Sequence, residues 1–192
     1  LLIDAQRELH DDELLPLGGL REPATARYRA DCIILTKCPH DMQPITLRIM
    51  QRNLDLYAHQ EIFFSRICYQ QPRAVRTLLG EAASPLPKEA LVIALSGIAS
   101  PGLFFTYLGE RYELIDQLVY PDHHHFRPKD CTAISERWQE LCEQYSGRPV
   151  YIVCTEKDAV RFTDSLGELP EALVKQLYFL PIETQILYKP QE

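Results

Sequence analysis

The sequence contains no uninterrupted apolar run near the roughly 18 residues that a membrane-spanning helix needs. Its richest window, Ala90 to Phe105, is broken by Ser96, Gly97, Ser100 and Pro101, which excludes a bilayer span there. The phosphate-loop pattern G-x-x-x-x-G-K-[ST] occurs nowhere in these residues, so they hold no Walker-type nucleotide loop. The cysteines, Cys32, Cys38, Cys68, Cys131, Cys142 and Cys154, sit singly in apolar runs with no C-x-x-C pair and no signal peptide, a usage expected of a reducing, cytosolic setting. Basic residues are also in deficit: 20 Lys and Arg face 27 Asp and Glu, a net charge of -7. That balance excludes general affinity for nucleic acid or anionic lipid, so any anionic ligand must be held by a local cluster.

What is present is a chain of 192 residues, 46% hydrophobic and 24% charged, enough for one domain or one plus a small attachment with a proper core. β-branched, apolar runs at 1–3, 32–36, 61–69, 91–95, 112–120, 150–155 and 177–180 predict strands. Between them, Ile134, Trp138, Leu141 and Tyr145 recur on one helical face, with Asp130 expected as N-cap and Gly147 as the stop. A second helix is expected to open at Pro101 and carry Phe104, Phe105 and Leu108 inward, and a third to run over 45–57. Strands alternating with helices imply an α/β fold with a mainly parallel sheet, in which ligands sit beyond the carboxyl ends of the strands. Residues 71–88, with Pro72, Gly80, Pro85 and Pro87, are the expected linker between a first part, 1–70, and a C-terminal α/β lobe, 89–192. The tail from Glu183 reads as a last strand with a frayed end, and the opening Leu1-Leu2-Ile3 as a strand already under way, so the natural chain is expected to begin upstream.

Four segments could carry chemistry. In Leu20-Arg21-Glu22-Pro23, preceded by Gly18-Gly19, a planar cation stands beside a carboxylate able to orient it, a device suited to phosphate; a surface turn with a solvated ion pair is the simpler alternative. Leu95-Ser96-Gly97-Ile98-Ala99-Ser100-Pro101 joins a strand to a helix, the geometry in which free backbone N–H groups meet an anion, or only a tight connection. Asp122-His123-His124-His125 follows a strand; neighbouring side chains diverge, which disfavours a three-His metal site, whereas an Asp-backed His suits proton relay or phosphate contact. Finally, Thr155-Glu156-Lys157-Asp158 follows the apolar strand 150–154 and runs on to Arg161. Thr155 or Glu156 could cap the next helix, while Lys157 and Asp158 would face the crevice beyond the sheet.

In this order the four segments resemble the C-terminal part of the tetraacyldisaccharide 4'-kinase family, the lipid A kinases of bacterial outer-membrane biosynthesis. The resemblance rests on Leu20-Arg21-Glu22-Pro23, on Gly97-Ile98 with Pro101 and Phe104-Phe105, on Asp122-His123-His124 followed by Phe126, and on Thr155 to Val160. It implies the C-terminal part of a P-loop-kinase-like, three-layer α/β/α fold. The implied enzyme uses ATP and Mg²⁺ to phosphorylate the 4'-hydroxyl of a tetraacylated glucosamine disaccharide 1-phosphate at the cytoplasmic face of the inner membrane. The family's Walker A loop, catalytic Asp, Mg²⁺-holding segment and membrane anchor would lie upstream, so this chain alone would be inactive.

Residue by residue, the resemblance makes Arg21 the arginine near the transferring phosphoryl group and Glu22 the acid beside it; such an arginine contributes about 10³ to 10⁵ in rate. His123 matches the histidine paired with the upstream Asp, and Asp122 would fix its ring. His125 adds a third imidazole, so the choice among His123, His124 and His125 stays open. Asp122, Gly97, His124, Lys157 and Asp158 belong to the motifs as substrate or nucleotide contacts, and no metal ligand is assigned in this chain. Membrane contact is expected mainly upstream, with Arg66, Arg73 and Arg76 as a local contribution. Two other readings remain: a non-enzymatic α/β interaction module derived from such a kinase, and a small metal-dependent hydrolase built on the His run.

Overall fold

The computed structural model describes residues 1–5, 13–39 and 42–187. The chain forms two compact units, Leu1–Cys68 with Glu183–Glu192, and Tyr69–Ile182. The first holds the strands β1 (Leu2–Asp4), β2 (Cys32–Thr36) and β3 (Glu61–Tyr69, whose last residue falls in the second unit) and the helix α1 (Pro44–Asn53). β1 pairs in parallel with β2, and β2 in parallel with β3. Alternate positions of these strands, Ile33, Leu35, Ile62 and Phe64, pack with Ile3, Leu47 and Leu54 into one core. That period of two is what a strand with one face on a core requires. The helix expected over 45–57 ends at Asn53, because Asp55 takes a positive φ of 46°.

The second unit is built on a five-stranded sheet. Its elements in chain order are β4 (Arg73–Ala74), β5 (Leu91–Ser96), α2 (Gly102–Gly109), β6 (Glu113–Val119), α3 (Pro128–Gln144), β7 (Val150–Thr155), α4 (Glu156–Phe162), α5 (Glu171–Val174) and β8 (Leu177–Leu180). The strand order is β4-β8-β7-β5-β6, parallel throughout except for the short antiparallel pair β4 with β8. The final strand, β9 (Ile182–Leu187), joins the first unit's sheet beside β3, with Arg66 donating to Gln185 at 2.9 Å. Residues 188–192, where a frayed end was expected, lie outside the described residues. The expected linker, 71–88, contains β4 and a short 3₁₀ turn, Val75–Leu79, with Ala74 and Val75 buried.

Burial explains why β5 reads as an unbroken apolar run. All its residues are buried, with Leu91, Ile93 and Leu95 facing one core and Val92 and Ala94 the other. On the first face lie Ile134, Trp138 and Leu141 of α3 with Phe162 of α4; on the second lie Phe104 and Leu108 of α2. The unit is therefore a three-layer α/β/α sandwich, and a sheet covered on both faces loses the apolar–polar alternation of a half-exposed one.

Helix α3 starts three residues earlier than its sequence suggests. Asp130 is its third helical residue rather than its N-cap: the carboxylate reaches back to the Arg127 N–H at 2.9 Å, half of a capping box. Pro128 opens the helix, where its missing N–H costs nothing. At the other end Gly147 takes a φ of 94°, which a side chain would resist, and the chain turns into β7.

Leu108, fully buried beneath the sheet, predicts a clear experiment. Leu108→Ala should lower the free energy of unfolding by about 2–5 kcal/mol, whereas Leu79→Ala, at a half-exposed position, should stay within about 0.5 kcal/mol of the parent. Denaturant midpoints compare them, and similar losses for both would contradict this core.

Candidate functional site

In the second unit β5 and β7 are neighbours, but the helices that follow them, α2 and α4, pack on opposite faces of the sheet. Such a reversal opens a crevice beyond the carboxyl ends of the two strands, the usual place for ligands in α/β sheets. Gly97 follows β5 at this point and Thr155 to Asp158 follow β7.

Asp158 does not face that crevice, as its motif suggested. It is fully buried, and its carboxylate is engaged on every side. The Gly97 N–H donates to Oδ2 at 2.8 Å, the Thr155 hydroxyl donates to the same oxygen at 2.6 Å, and Arg161 Nη1 donates to Oδ1 at 3.1 Å. Thr155 also caps α4, accepting from the Asp158 N–H at 3.2 Å. The Gly97 loop thus does meet an anion, but that anion is the chain's own carboxylate, and direct ligand contact by Gly97 N–H or Asp158 gives way to a structural role. A Cβ at Gly97 would stand 3.0 Å from Asp158 Oδ1, which is why this position takes no side chain. Cys154, just before the cap, is no nucleophile: burial, aided by Asp158, pushes its thiol well above the ordinary value.

The loop after β6 separates the three histidines. His124 is committed inward: Nε2 lies 3.0 Å from Asp130 Oδ2, and the ring stacks on Tyr120 at 4.7 Å and meets Phe126 edge-on. Phe126 in turn stacks on Phe162 at 3.9 Å, tying the loop to the core. His124 thus has a structural role through Nε2 and its ring faces. His125 is exposed and makes no polar contact among the described residues. His123 is exposed and held at a φ of 60° by a 2.9 Å bond from its N–H to Asp122 Oδ1; its Nε2 lies 3.5 Å from Asp122 Oδ2 and its Nδ1 3.2 Å from Arg161 Nη2. Asp122 is also reached by Lys157 at 3.3 Å. Desolvation raises the Asp122 carboxyl, but Lys157, the His123 ring and the His123 N–H together hold it below the usual carboxylate range.

Arg161 joins this cluster although its sequence context singled out Lys157 and Asp158. The available signal was helical spacing: Arg161 stands three residues after Asp158, on the same face of α4.

In the first unit, Arg21 and Glu22 line a cleft of about 700 Å³ together with Leu1 to Asp4, Leu20 and Arg27. Glu22 pairs with Arg29 and not with Arg21, because the 3₁₀ turn Ala24–Arg29 brings Arg29 back beside it. Arg21 is exposed and makes no hydrogen bond or ion pair among the described residues, so its guanidinium is available to an anion. Arg76, expected to add basic surface, is tied to Glu81 and to Glu171 at 3.1 Å, which offsets its charge. Among the described residues no group of three or more His, Cys, Asp or Glu could hold a metal ion, so no chemical step is assigned to Mg²⁺ on this set.

The hydrogen-bonded carboxylates of Asp158 and Asp130 can each be tested. Asp158→Asn leaves Arg161 without its charge partner and should cost about 3–5 kcal/mol of stability, and Gly97→Ala about 1–3 kcal/mol through crowding of a carboxylate that cannot retreat; melting shifts of both variants measure this. For Asp130, the Arg127 N–H is the largest influence, and together with His124 it outweighs desolvation and lowers the carboxyl below its ordinary value. A lowered folded-state pKa adds stability that is complete above the unfolded value of about 3.9 and is lost as pH falls through the folded one. Asp130→Asn should therefore be less stable than the parent near neutral pH, with the gap closing under acid; a gap independent of pH would contradict the assignment.

Comparison with known proteins agrees with these segments. The profile of the family described as Tetraacyldisaccharide-1-P 4'-kinase matches residues 1–192. The tetraacyldisaccharide 4'-kinase of Porphyromonas gingivalis is 38% identical over 192 residues, covering 100% of this chain and 52% of the relative. That of Bacteroides fragilis is 39% identical over 196 residues, covering 100% of this chain and 51% of the relative. The chain thus spans about half the length of the curated relatives it matches. Among solved structures, the "apo" form of LpxK from Aquifex aeolicus in complex with ATP superposes with a TM-score of 0.55 at 19% identity, over 97% of this chain and 47% of that one. That likeness supports the α/β fold, and the profile match and the curated relatives carry the assignment: the chain belongs to the tetraacyldisaccharide 4'-kinase family.

Proposed function

We propose that this chain is the C-terminal part of an enzyme that transfers the γ-phosphoryl group of ATP to the 4'-hydroxyl of a tetraacyldisaccharide 1-phosphate at the cytoplasmic face of the bacterial inner membrane. The observation that carries this reading is the family match over residues 1–192. Arg21 supports it: the arginine implied by the resemblance lines a cleft and has no partner within the described residues.

Phosphoryl transfer asks little covalent chemistry of a protein and much positioning and charge neutralisation. In this reading Arg21 faces the charge that develops on the transferring group, while Glu22 acts on it indirectly, by holding Arg29 at the same cleft. His123 donates to the upstream carboxylate that accepts the hydroxyl proton, and Asp122 fixes its backbone turn. Lys157 reaches the site only through Asp122. Because the chain spans about half the length of its relatives, this reading assigns Mg²⁺ binding, the Walker loop and the main membrane contact to an N-terminal lobe of the whole enzyme and expects the isolated chain to be inactive.

Arg21→Ala in the full-length kinase should lower kcat by about 10³ or more while raising KM far less. The isolated chain should show no ATP turnover. An unchanged kcat would remove Arg21 from the mechanism. ATP turnover by the isolated chain would contradict the split of the machinery. A full-length protein without kinase activity would favour the non-enzymatic module. Binding of the isolated chain to anionic vesicles that falls steeply with salt would contradict the upstream placing of the membrane contact.

A further inference from the structure

The side chain of His123 is 72% exposed, yet its Nδ1 lies 3.2 Å from Arg161 Nη2. A guanidinium has donors only, so this contact requires Nδ1 to present a lone pair. The other ring nitrogen, Nε2, lies 3.5 Å from Asp122 Oδ2, an acceptor, and so is the place for the ring's proton. The contact therefore selects the neutral ring with its proton on Nε2.

Arg161 is itself well fixed. Its Nη1 donates to Asp158 Oδ1 at 3.1 Å and to the Gly97 carbonyl at 3.3 Å, and its side chain is only 15% exposed. The planar fork thus spans a buried anchor at the switch point and an exposed ring on the neighbouring loop, a span that a single ammonium cannot reproduce. The charged groups around the His123 ring are Arg161 and Lys157 from α4 and Asp122 from its own loop, with Asp158 behind Arg161.

We propose that Arg161, anchored on Asp158, is a positioning residue that holds His123 as the neutral Nε2–H tautomer and so presents Nε2–H as a hydrogen-bond donor. This rests on the proposed reading, in which His123 serves the carboxylate that removes the hydroxyl proton. The hydroxyl proton passes to that carboxylate, while His123 keeps its own proton and stabilises the carboxylate's position and charge.

The test uses the full-length kinase labelled with ¹⁵N-histidine, the His123 signal being assigned by its loss in His123→Gln. At about pH 8, above the ordinary histidine value, long-range ¹H–¹⁵N spectra of the unmutated protein should show the Nε2–H form. An Nδ1–H form would overturn the proposal without any variant having to fold. Arg161→Lys retains a cation for Asp158 but gives up the fork; its kcat should fall about tenfold, with the KM for ATP within about twofold. If His123→Gln lowers kcat but Arg161→Lys does not, the positioning role fails and the reading of His123 stands. If His123→Gln leaves kcat unchanged, both fall.

Discussion

The Asp158 carboxylate has no access to water, and the end of the second unit is arranged around that fact. A buried charge must be matched by donors on all sides, and here they come from three places in the sequence: the Gly97 N–H after β5, the Thr155 hydroxyl at the end of β7 and the Arg161 guanidinium on α4. The carboxylate therefore fastens two neighbouring strand ends together at the point where their helices leave in opposite directions. It also fixes Arg161, whose free nitrogen reaches the loop after β6.

That loop is held from the other side by apolar contact. Tyr120, His124, Phe126 and Phe162 form a continuous aromatic stack from the end of β6 to α4, and Asp130 binds His124 while closing the first turn of α3. His124 is spent on this framework, which leaves His123 as the ring that the framework displays. The division of labour between two adjacent histidines follows from side chains diverging along the chain, one toward the core and one toward solvent.

Much of this architecture was legible in the sequence, for identifiable reasons. The strand over 150–155 was readable because a sheet covered on both faces demands an unbroken apolar run, and the face of α3 because Ile134, Trp138 and Leu141 repeat at helical spacing. Helix ends were less legible. Asp130 has the residue type of an N-cap and sits near the right place, but a carboxylate also serves at the third helical position, and only the backbone path distinguishes the two. The short strand β4 carries no periodic signal at all, since two residues are too few to show one.

The sequence by itself determined the fold class, the order of the strands along the chain and the motifs that place it in its family. All of these depend on local patterning and on residues that stand together. Only the tertiary structure decided that Glu22 pairs with Arg29 rather than Arg21, that Asp158 faces inward, and that Arg161 rather than Lys157 touches His123. Each of those outcomes depends on which way a side chain leaves the backbone and on what a distant strand or turn brings opposite it, a relation that no local spacing encodes.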